Sequence, residues 1–143
     1  MTAPNNTEGI GSAFEEKVPG VTAFGIFDAT DTRTGKTAWK VDVEQPAKSG
    51  LLVAGNLVFF GEGNGKFHAV DFLTGAFLWT FDGTSLPDGG GAQASPIAYE
   101  VNGREYVAVC VGTLPAGRGE TATPQSPGEY VVFALPAAPA SRR

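Results

Sequence analysis

The chain has 143 residues, a length typical of one domain with a sizeable core. Its formal net charge is −5, and its lysines and arginines form no cluster before Arg142 and Arg143. A nucleic-acid-binding protein needs a basic face, so the composition argues against that class. The chain has 20 glycines, 10 prolines and 10 phenylalanines but one methionine, which favours β structure.

Rare residue types exclude several kinds of site. Cys110 is the only cysteine, which excludes an internal disulfide and a cysteine-rich metal site, and we expect it to be a small buried residue. His68 is the only histidine, which argues against a zinc site built from several histidines. No run approaches the roughly 18 apolar residues of a membrane span. The first residues lack the basic and apolar regions of a signal peptide, so none is visible.

The first part of the chain predicts an arm followed by a strand pair. Residues 1–19 are rich in glycine, proline and polar residues and are expected to form a flexible N-terminal arm. The apolar stretch 21–28 suits a buried strand, 31–35 has the residues of a turn, and 37–43 suits the returning strand.

The second part predicts four short strands. They cover residues 51–54, 57–61, 66–71 and 77–81. The tripeptide Gly63-Asn64-Gly65 is a strong hairpin signal, because such turns require positive φ. Four antiparallel strands in about forty residues make one propeller blade.

The last part predicts three more strands. After a glycine-rich loop, residues 95–101 and 104–111 flank Asn102-Gly103, the strongest short signal for a hairpin. A loop covers 112–128, a last strand 129–135, and the tail from about residue 137 to 143 is expected to be disordered. The chain therefore predicts about nine strands.

An eleven-residue pattern, A-x-D-x-x-T-G-x-x-x-W, occurs twice, at 29–39 and 69–79. It contains both tryptophans of the chain, forty residues apart. Self-similarity at that period, built from strands, is typical of propeller blades. We therefore predict an all-β fold of four-stranded blades, incomplete at two to two and a half blades. A partial blade covers 20–45, a full blade 46–83, and another partial blade 92–136.

The repeated residues predict a structural docking motif rather than a catalytic one. Each tryptophan is expected to bury about 200 Å² between neighbouring blades. The alanine would leave room for the indole from the next blade, while the aspartate, threonine and glycine fix a turn. The motif residues are Ala29, Asp31, Thr34, Gly35, Trp39, Ala69, Asp71, Thr74, Gly75 and Trp79.

Together these stretches resemble the eight-bladed quinoprotein dehydrogenases, whose blades carry tryptophan-docking motifs of this form. V-A-G-N-L-V-F-F-G with N-G-K-F-H-A-V-D looks like their penultimate full blade. A-S-P-I-A-Y-E-V-N-G-R-E-Y-V-A-V looks like the opening of their last blade, and G-E-Y-V-V-F-A-L-P like the strand that ends many members. The resemblance implies the C-terminal end of such an enzyme.

The resemblance further implies oxidation of alcohols or sugars with pyrroloquinoline quinone, usually in the periplasm. The family's calcium or lanthanide ion and its candidate aspartate base belong to earlier blades. We therefore expect no catalytic residue and no metal ligand in this chain.

Two loops are expected to approach the quinone, and both depart from the family pattern. Residues 47–50 read A-K-S-G where relatives often carry a tryptophan, and residues 112–115 read G-T-L-P without the glycine-tryptophan or glycine-glycine-histidine of relatives. The candidate cofactor contacts are Lys48, Gly112, Thr113 and Leu114. Plain connecting loops are the competing interpretation.

About two blades cannot close a ring, so the sequence predicts partners. The remaining blades come from another chain, or copies of this chain associate. The function then has two readings. The chain is either a scaffold and partial cofactor lid of a quinone-dependent dehydrogenase, or a non-enzymatic propeller-repeat module for protein interaction or assembly.

Overall fold

The structure is a computed structural model, which describes residues 20, 22, 24–45, 49–86, 90–92, 94–112 and 128–135. In these residues the chain forms strands and a single short 3-10 helix at Gly83–Ser85, with no α-helix. The strands are β1 (Gly25–Asp31), β2 (Lys36–Val43), β3 (Leu52–Ala54), β4 (Leu57–Gly61), β5 (Lys66–Asp71), β6 (Phe77–Asp82), β7 (Ile97–Val101), β8 (Arg104–Val111) and β9 (Glu129–Ala134).

The strands form three antiparallel sheets in which every neighbour is consecutive in the chain. The first sheet has β1 and β2, the middle sheet has β3 to β6 in order, and the third has β7, β8 and β9. Most strands lie where the sequence predicted them. The first differs, because β1 begins at Gly25 and continues to Asp31, where it pairs with Lys36 and leads directly into the turn.

The tight turns follow from residues that accept positive φ. Asn102 and Gly103 have φ values of 52° and 76° and join β7 to β8 through a two-residue turn. A turn with positive φ at both central positions matches the twist of the flanking strands, which explains the preference for Asn-Gly.

The middle sheet is packed on both faces, because its side chains alternate with a period of two. On one face, Val58, Phe60 and Val70 pack against Val43 of the first sheet. On the other face, Phe67 packs in a core with residues of the third sheet, chiefly Val107, Val109 and Val111. The two cores therefore lie between the sheets, the packing expected of stacked propeller blades.

The outer faces of the two flanking sheets have no such cover in the described part of the chain. Ile97, Val132 and Tyr130 of the third sheet are 58 %, 49 % and 85 % exposed. Ile26 of the first sheet is 47 % exposed. Cys110 of β8 is half-buried rather than buried as the sequence predicted, because it alternates with Val109 and Val111, which face the core.

Candidate functional site

The described residues carry polar groups and residues of the repeated motif at two opposite ends of the middle sheet. We call one the docking end; it contains the β5–β6 turn, residues 72–76, and the Asn102-Gly103 turn. We call the other the loop end; it contains the starts of β3 and β5 and the ends of β2, β4, β6 and β8. Antiparallel hairpins place these groups together, since alternate turns of a meander lie at the same edge.

At the docking end, Trp39 of the first sheet lies on the β5–β6 turn of the middle sheet. Its indole Nε1 donates a hydrogen bond of 2.8 Å to the carbonyl oxygen of Phe72. Its six-membered ring covers Gly75, where a Cβ would lie 2.7 Å from the indole Cδ2. Gly75 also has a φ of 72°, so both the backbone and the packing require glycine there.

The Asp71 carboxylate organises the same turn. Its Oδ1 accepts hydrogen bonds from the amides of Leu73 and Thr74, at 3.0 and 2.8 Å, and from the Thr74 hydroxyl at 2.8 Å. The Thr74 hydroxyl and amide stabilise the charged form and lower the pKa of Asp71 below its usual value. The turn therefore favours the ionised form of this carboxylate.

Asp31 has the corresponding position in the first repeat. Its Oδ1 accepts from the amide of Arg33 at 2.8 Å, and its pKa is lowered mainly by that amide and by the Arg33 guanidinium. The Thr34 hydroxyl accepts from the Lys36 amide at 3.4 Å. The two aspartates are therefore occupied by local hydrogen bonds within their own turns.

The alanine of the motif has a different neighbour from the one predicted. Ala29 pairs with Trp39, and Ala69 with Trp79, across adjacent strands of the same sheet. Direct partners in an antiparallel pair share a face, so each alanine lies beside the tryptophan of its own sheet. The prediction that it receives the indole of the next blade is wrong; Gly75 has that role for Trp39.

Trp79 is less enclosed than the sequence predicted, at 40 % exposed. Its ring meets the edge of Phe133, with centroids 4.7 Å apart. It lies in a cleft of about 1060 Å³ between the middle and third sheets, whose wall includes Phe59, Arg104 and Leu135. Residues 134–138 read A-L-P-A-A, so the sequence after β9 has no D-x-x-T-G turn like the one that Trp39 covers.

At the loop end, the buried side chain of Glu62 joins two sheets. Its Oε2 accepts a 2.7 Å hydrogen bond from the amide of Gln45, just after β2, and its Oε1 lies 2.6 Å from His68 Nε2. The other imidazole nitrogen, Nδ1, lies 2.9 Å from the Thr80 hydroxyl. The backbone carbonyl of Glu62 also accepts from the amide of Ala92, at 3.1 Å, beside the third sheet.

Sequence reasoning missed this cluster. It did not single out Glu62 and named no partner for His68; the structure buries both, at 2 % and 4 % exposed. Phe60 and Phe77 flank the imidazole, with ring centroids 5.2 and 5.1 Å away. The only signal in the sequence was one glutamate in a glycine-rich turn six residues before the only histidine. The hydrogen-bonded chain from Thr80 through His68 to Glu62 is thus enclosed, and Glu62 links it to the Gln45 amide that follows the first sheet.

Of the four predicted cofactor contacts, Lys48, Thr113 and Leu114 lie outside the described residues. The amide of Gly112 donates to the carbonyl of Gly91 at 3.2 Å, so its donor already has an internal acceptor. Gly112 therefore remains a predicted contact only through its other polar atom, the carbonyl oxygen.

The residues beside the predicted loops are held to one another. The Gly50 amide donates to Ser95 Oγ at 3.2 Å, and Ser49 Oγ lies 3.4 Å from the Gly61 amide nitrogen. The loop before β3 is thus tied to the end of β4 and to the segment before β7.

Two further features of the described residues concern metals and membranes. They contain no group of three or more histidine, cysteine, aspartate or glutamate side chains arranged to hold a metal ion. None of the helices they form is long and apolar enough to span a bilayer.

The PQQ_2 family, described as "Outer membrane protein assembly factor BamB", matches residues 2–122. The quinoprotein ethanol dehydrogenase of Pseudomonas putida is 36 % identical over 121 residues, which are 79 % of this chain and 19 % of that enzyme. The dehydrogenase subunit of a quinone alcohol dehydrogenase from Acetobacter aceti is 45 % identical over 78 residues, which are 54 % of this chain and 10 % of that subunit.

Solved structures agree with these sequence matches. The quinohemoprotein alcohol dehydrogenase of Comamonas testosteroni superposes with a TM-score of 0.59 and 36 % identity, covering 78 % of this chain and 16 % of that one. A europium-containing methanol dehydrogenase superposes with a TM-score of 0.56 and 36 % identity, covering 65 % and 16 %.

The chain spans about a fifth of the length of the curated relatives it matches, such as the Pseudomonas putida enzyme at 19 %. Its three stacked sheets are an incomplete all-β propeller, as the sequence predicted. The chain therefore belongs to the PQQ_2 family and is a partial propeller of the quinoprotein alcohol dehydrogenase type.

Proposed function

We propose that the chain is the C-terminal propeller segment of a pyrroloquinoline-quinone-dependent dehydrogenase that oxidises alcohols or sugars. It acts as a scaffold and partial cofactor lid, and the catalytic residues lie on other blades. The observation that carries this proposal is the four-stranded middle sheet, which is packed on both faces between incomplete sheets of two and three strands. The resemblance to quinoprotein dehydrogenases further suggests a periplasmic location.

In this proposal the sheets are blades with the boundaries 20–45, 46–83 and 92–136, between an arm at 1–19 and a tail at 137–143. The repeated motif locks adjacent blades together. Its support is the hydrogen bond from Trp39 Nε1 to Phe72 and the contact of the indole with Gly75.

The proposed partners are the remaining blades, supplied by another chain or by copies of this one. About four chains of two blades would approximate an eight-bladed ring. The exposed apolar side chains on the outer face of the third sheet, including Ile97, Tyr99 and Val132, support a partner that covers this face. A net charge of −5 does not favour nucleic acid.

The described residues do not offer a fit for the family's metal ion, because they lack an acidic or histidine donor cluster. We therefore assign the calcium or lanthanide ion and the catalytic base to the remaining blades. When bound there, the quinone supplies the two-electron oxidant for the alcohol. This chain would contribute Lys48 and the segment from Gly112 to Leu114 to the wall of the cofactor pocket.

Complementation tests the proposal. The full chain would be titrated with pyrroloquinoline quinone and calcium, alone and mixed with the Pseudomonas putida ethanol dehydrogenase lacking its matching segment. We expect no activity from the chain alone, and a change in quinone absorbance with dye-linked ethanol oxidation from the mixture. Trp39→Ala, which weakens blade docking, is the matched control and should complement less well.

The second candidate is a non-enzymatic propeller-repeat module for protein interaction or assembly. The description of the matching family as an outer membrane protein assembly factor favours it, as do the departures in both cofactor loops. A mixture that assembles, as judged by mass, but neither binds the quinone nor oxidises ethanol would exclude the dehydrogenase role and favour this module.

A further inference from the structure

The chain contains two Asn-Gly steps, Asn64-Gly65 and Asn102-Gly103, and the structure treats them differently. We propose that Asn102 is a site of spontaneous deamidation and isomerisation in the folded protein, and that Asn64 is protected. In this chemistry the backbone nitrogen of the following residue attacks the asparagine side-chain carbonyl carbon. Glycine permits the attack because it has no Cβ to block the approach.

Asn102 has the features of an unprotected site. It lies at an exposed hairpin tip, and in the described part of the chain neither its side-chain amide nor the Gly103 backbone amide makes a hydrogen bond. A Cβ built on Gly103 would meet nothing within 4 Å, so the space around the attacking nitrogen is open.

Asn64 is held by its neighbours on every side. Its Nδ2 donates to Glu44 at 3.3 Å and to Glu62 at 3.5 Å, and its Oδ1 accepts from the Lys66 amide at 3.1 Å. The nucleophile of the reaction, the Gly65 amide, donates to the Glu62 carbonyl at 3.1 Å. Both reacting groups are therefore engaged, and the turn lies against the buried Glu62.

The backbone of Asn102 must leave its left-handed conformation, φ 52°, before the ring can close. The local stability of the turn therefore sets the rate. Every residue of β7 is exposed, so separating the end of this strand from β8 exposes little additional surface to water. Opening the Asn64 turn instead breaks contacts of a buried carboxylate, which costs more free energy.

The reaction balances without an oxidant or enzyme. The Gly103 nitrogen loses its proton and bonds to the Asn102 Cγ, the C–N bond to the side-chain amide breaks, and ammonia leaves. Water then opens the succinimide at either carbonyl, giving aspartate or isoaspartate. Asp-Gly still suits a turn with positive φ, whereas isoaspartate adds a carbon atom to the backbone and disturbs the register of β7 with β8.

The test is incubation of the full chain at mildly alkaline pH, followed by peptide mapping with mass spectrometry and enzymatic detection of isoaspartate. Under native conditions we expect Asn102 to react at least about tenfold faster than Asn64, the ratio that a difference of ~1.4 kcal/mol in opening free energy produces. In denaturant this preference for Asn102 should be lost, because both sites are then Asn-Gly steps of an unfolded chain.

Asn102→Gln is the control variant, since the longer side chain closes a ring far more slowly; it should abolish the isoaspartate signal at this hairpin. Equal native rates at the two sites, or a faster reaction at Asn64, would overturn the proposal. So would an Asn102 that stays intact in the folded chain while the unfolded chain is modified at both sites.

Discussion

Glu62 places a carboxylate in the interior, because the residue is only 2 % exposed. A buried charge is costly unless it is paired and hydrogen-bonded, and His68 with the Gln45 amide satisfies both oxygens. Since Gln45 follows the first sheet and His68 belongs to the middle sheet, this one residue couples their positions.

Glu62→Ala should reduce the free energy of unfolding by about 3–5 kcal/mol, because it leaves the buried His68 imidazole and the part-buried Gln45 amide hydrogen bond without their acceptor. Glu62→Gln should cost less, since the amide oxygen still accepts one of the two hydrogen bonds. Urea unfolding measures both. Exposed Glu105→Ala is the control and should stay within about 0.5 kcal/mol of the wild type. A Glu62→Ala chain as stable as this control would contradict the coupling.

The lowered pKa of Asp71 predicts a dependence on acid. Because the folded-state pKa lies below the unfolded value, the stabilisation is present above the unfolded value of about 3.9 and is lost as the pH falls through the folded pKa. Asp71→Asn should therefore be less stable than the wild type near neutral pH, with a difference that vanishes in acid. Unfolding followed by circular dichroism from pH 7 to pH 2 checks this.

Asp42→Asn is the comparison for that experiment. Asp42 is 73 % exposed and has only a 4.0 Å ion pair with Lys40. Its replacement should leave the acid transition unchanged. If the stabilities of the two asparagine variants changed alike across the pH range, the Asp71 hydrogen bonds would not contribute to the stability of the fold.

The two tryptophans occupy the same position of the motif but should contribute differently to stability. Trp39→Ala should cost about 3 kcal/mol, because it removes both the packing on Gly75 and the indole hydrogen bond. Trp79→Ala should cost about 1–2 kcal/mol, since 40 % of its surface is already exposed. Chemical unfolding of both variants tests the order, and an equal or larger loss for Trp79 would reverse this assignment.

At the scale of the elements, the β5–β6 turn differs from the β1–β2 turn because the Trp39 indole packs on it. Gly35 and Gly75 occupy the same position of the repeat, with φ values of 67° and 72°. A Cβ at Gly35 would meet nothing within 4 Å, whereas one at Gly75 would clash with Trp39 at 2.7 Å. The two glycines therefore separate the cost of backbone strain from the cost of blade docking.

Gly35→Ala should be destabilised by about 1 kcal/mol, the cost of positive φ in an alanine. Gly75→Ala should lose a further 1–3 kcal/mol or so from overpacking against the indole. Differential scanning calorimetry and the change in tryptophan emission measure the two contributions. Equal melting temperatures for the two variants would mean that the indole does not rest on this turn in solution.

The sheets themselves follow from local patterns. Val58 and Phe60 alternate with Leu57 and Phe59 along β4, so the two faces of the middle sheet were predictable once a strand was assumed. Their partners were not predictable, because nothing in the alternation states which neighbouring sheet covers which face.

At the scale of the whole molecule, the flanking sheets leave apolar surface without cover in the described part of the chain. Ile97, Tyr99 and Val101 lie on one face of β7 and are 58 %, 40 % and 47 % exposed. Exposed apolar faces and open strand edges favour association. Both faces of the middle sheet contribute to a core, although Phe77 and Leu78 of its edge strand β6 are 47 % and 59 % exposed.

We expect the isolated chain to associate as its concentration rises, and sedimentation analysis measures this. Tyr99→Glu combined with Val101→Lys, on the exposed face of β7, should shift the chain towards the monomer. The control is Asp28→Asn on the first sheet, which should leave the mass unchanged. A stable, soluble monomer at 14.8 kDa across the concentration range would contradict the need for further blades.

By itself, the sequence determined the strands, the tight turns and the repeat, because each depends on residues close together in the chain. The Asp71 turn is an example: its hydrogen bonds reach only to Leu73 and Thr74. The repeated motif and the blade-like spacing likewise identified the family from local pattern alone.

How those parts meet depends on the tertiary structure. Trp39 and Trp79 have the same motif, yet one covers a turn and the other borders a cleft, because their contacts come from a neighbouring sheet. Glu62 meets Gln45 and His68 for the same reason: separate hairpins carry them to one end of the stack. Contacts between sheets join residues that are distant in the chain. A local sequence pattern therefore does not state which residues will meet.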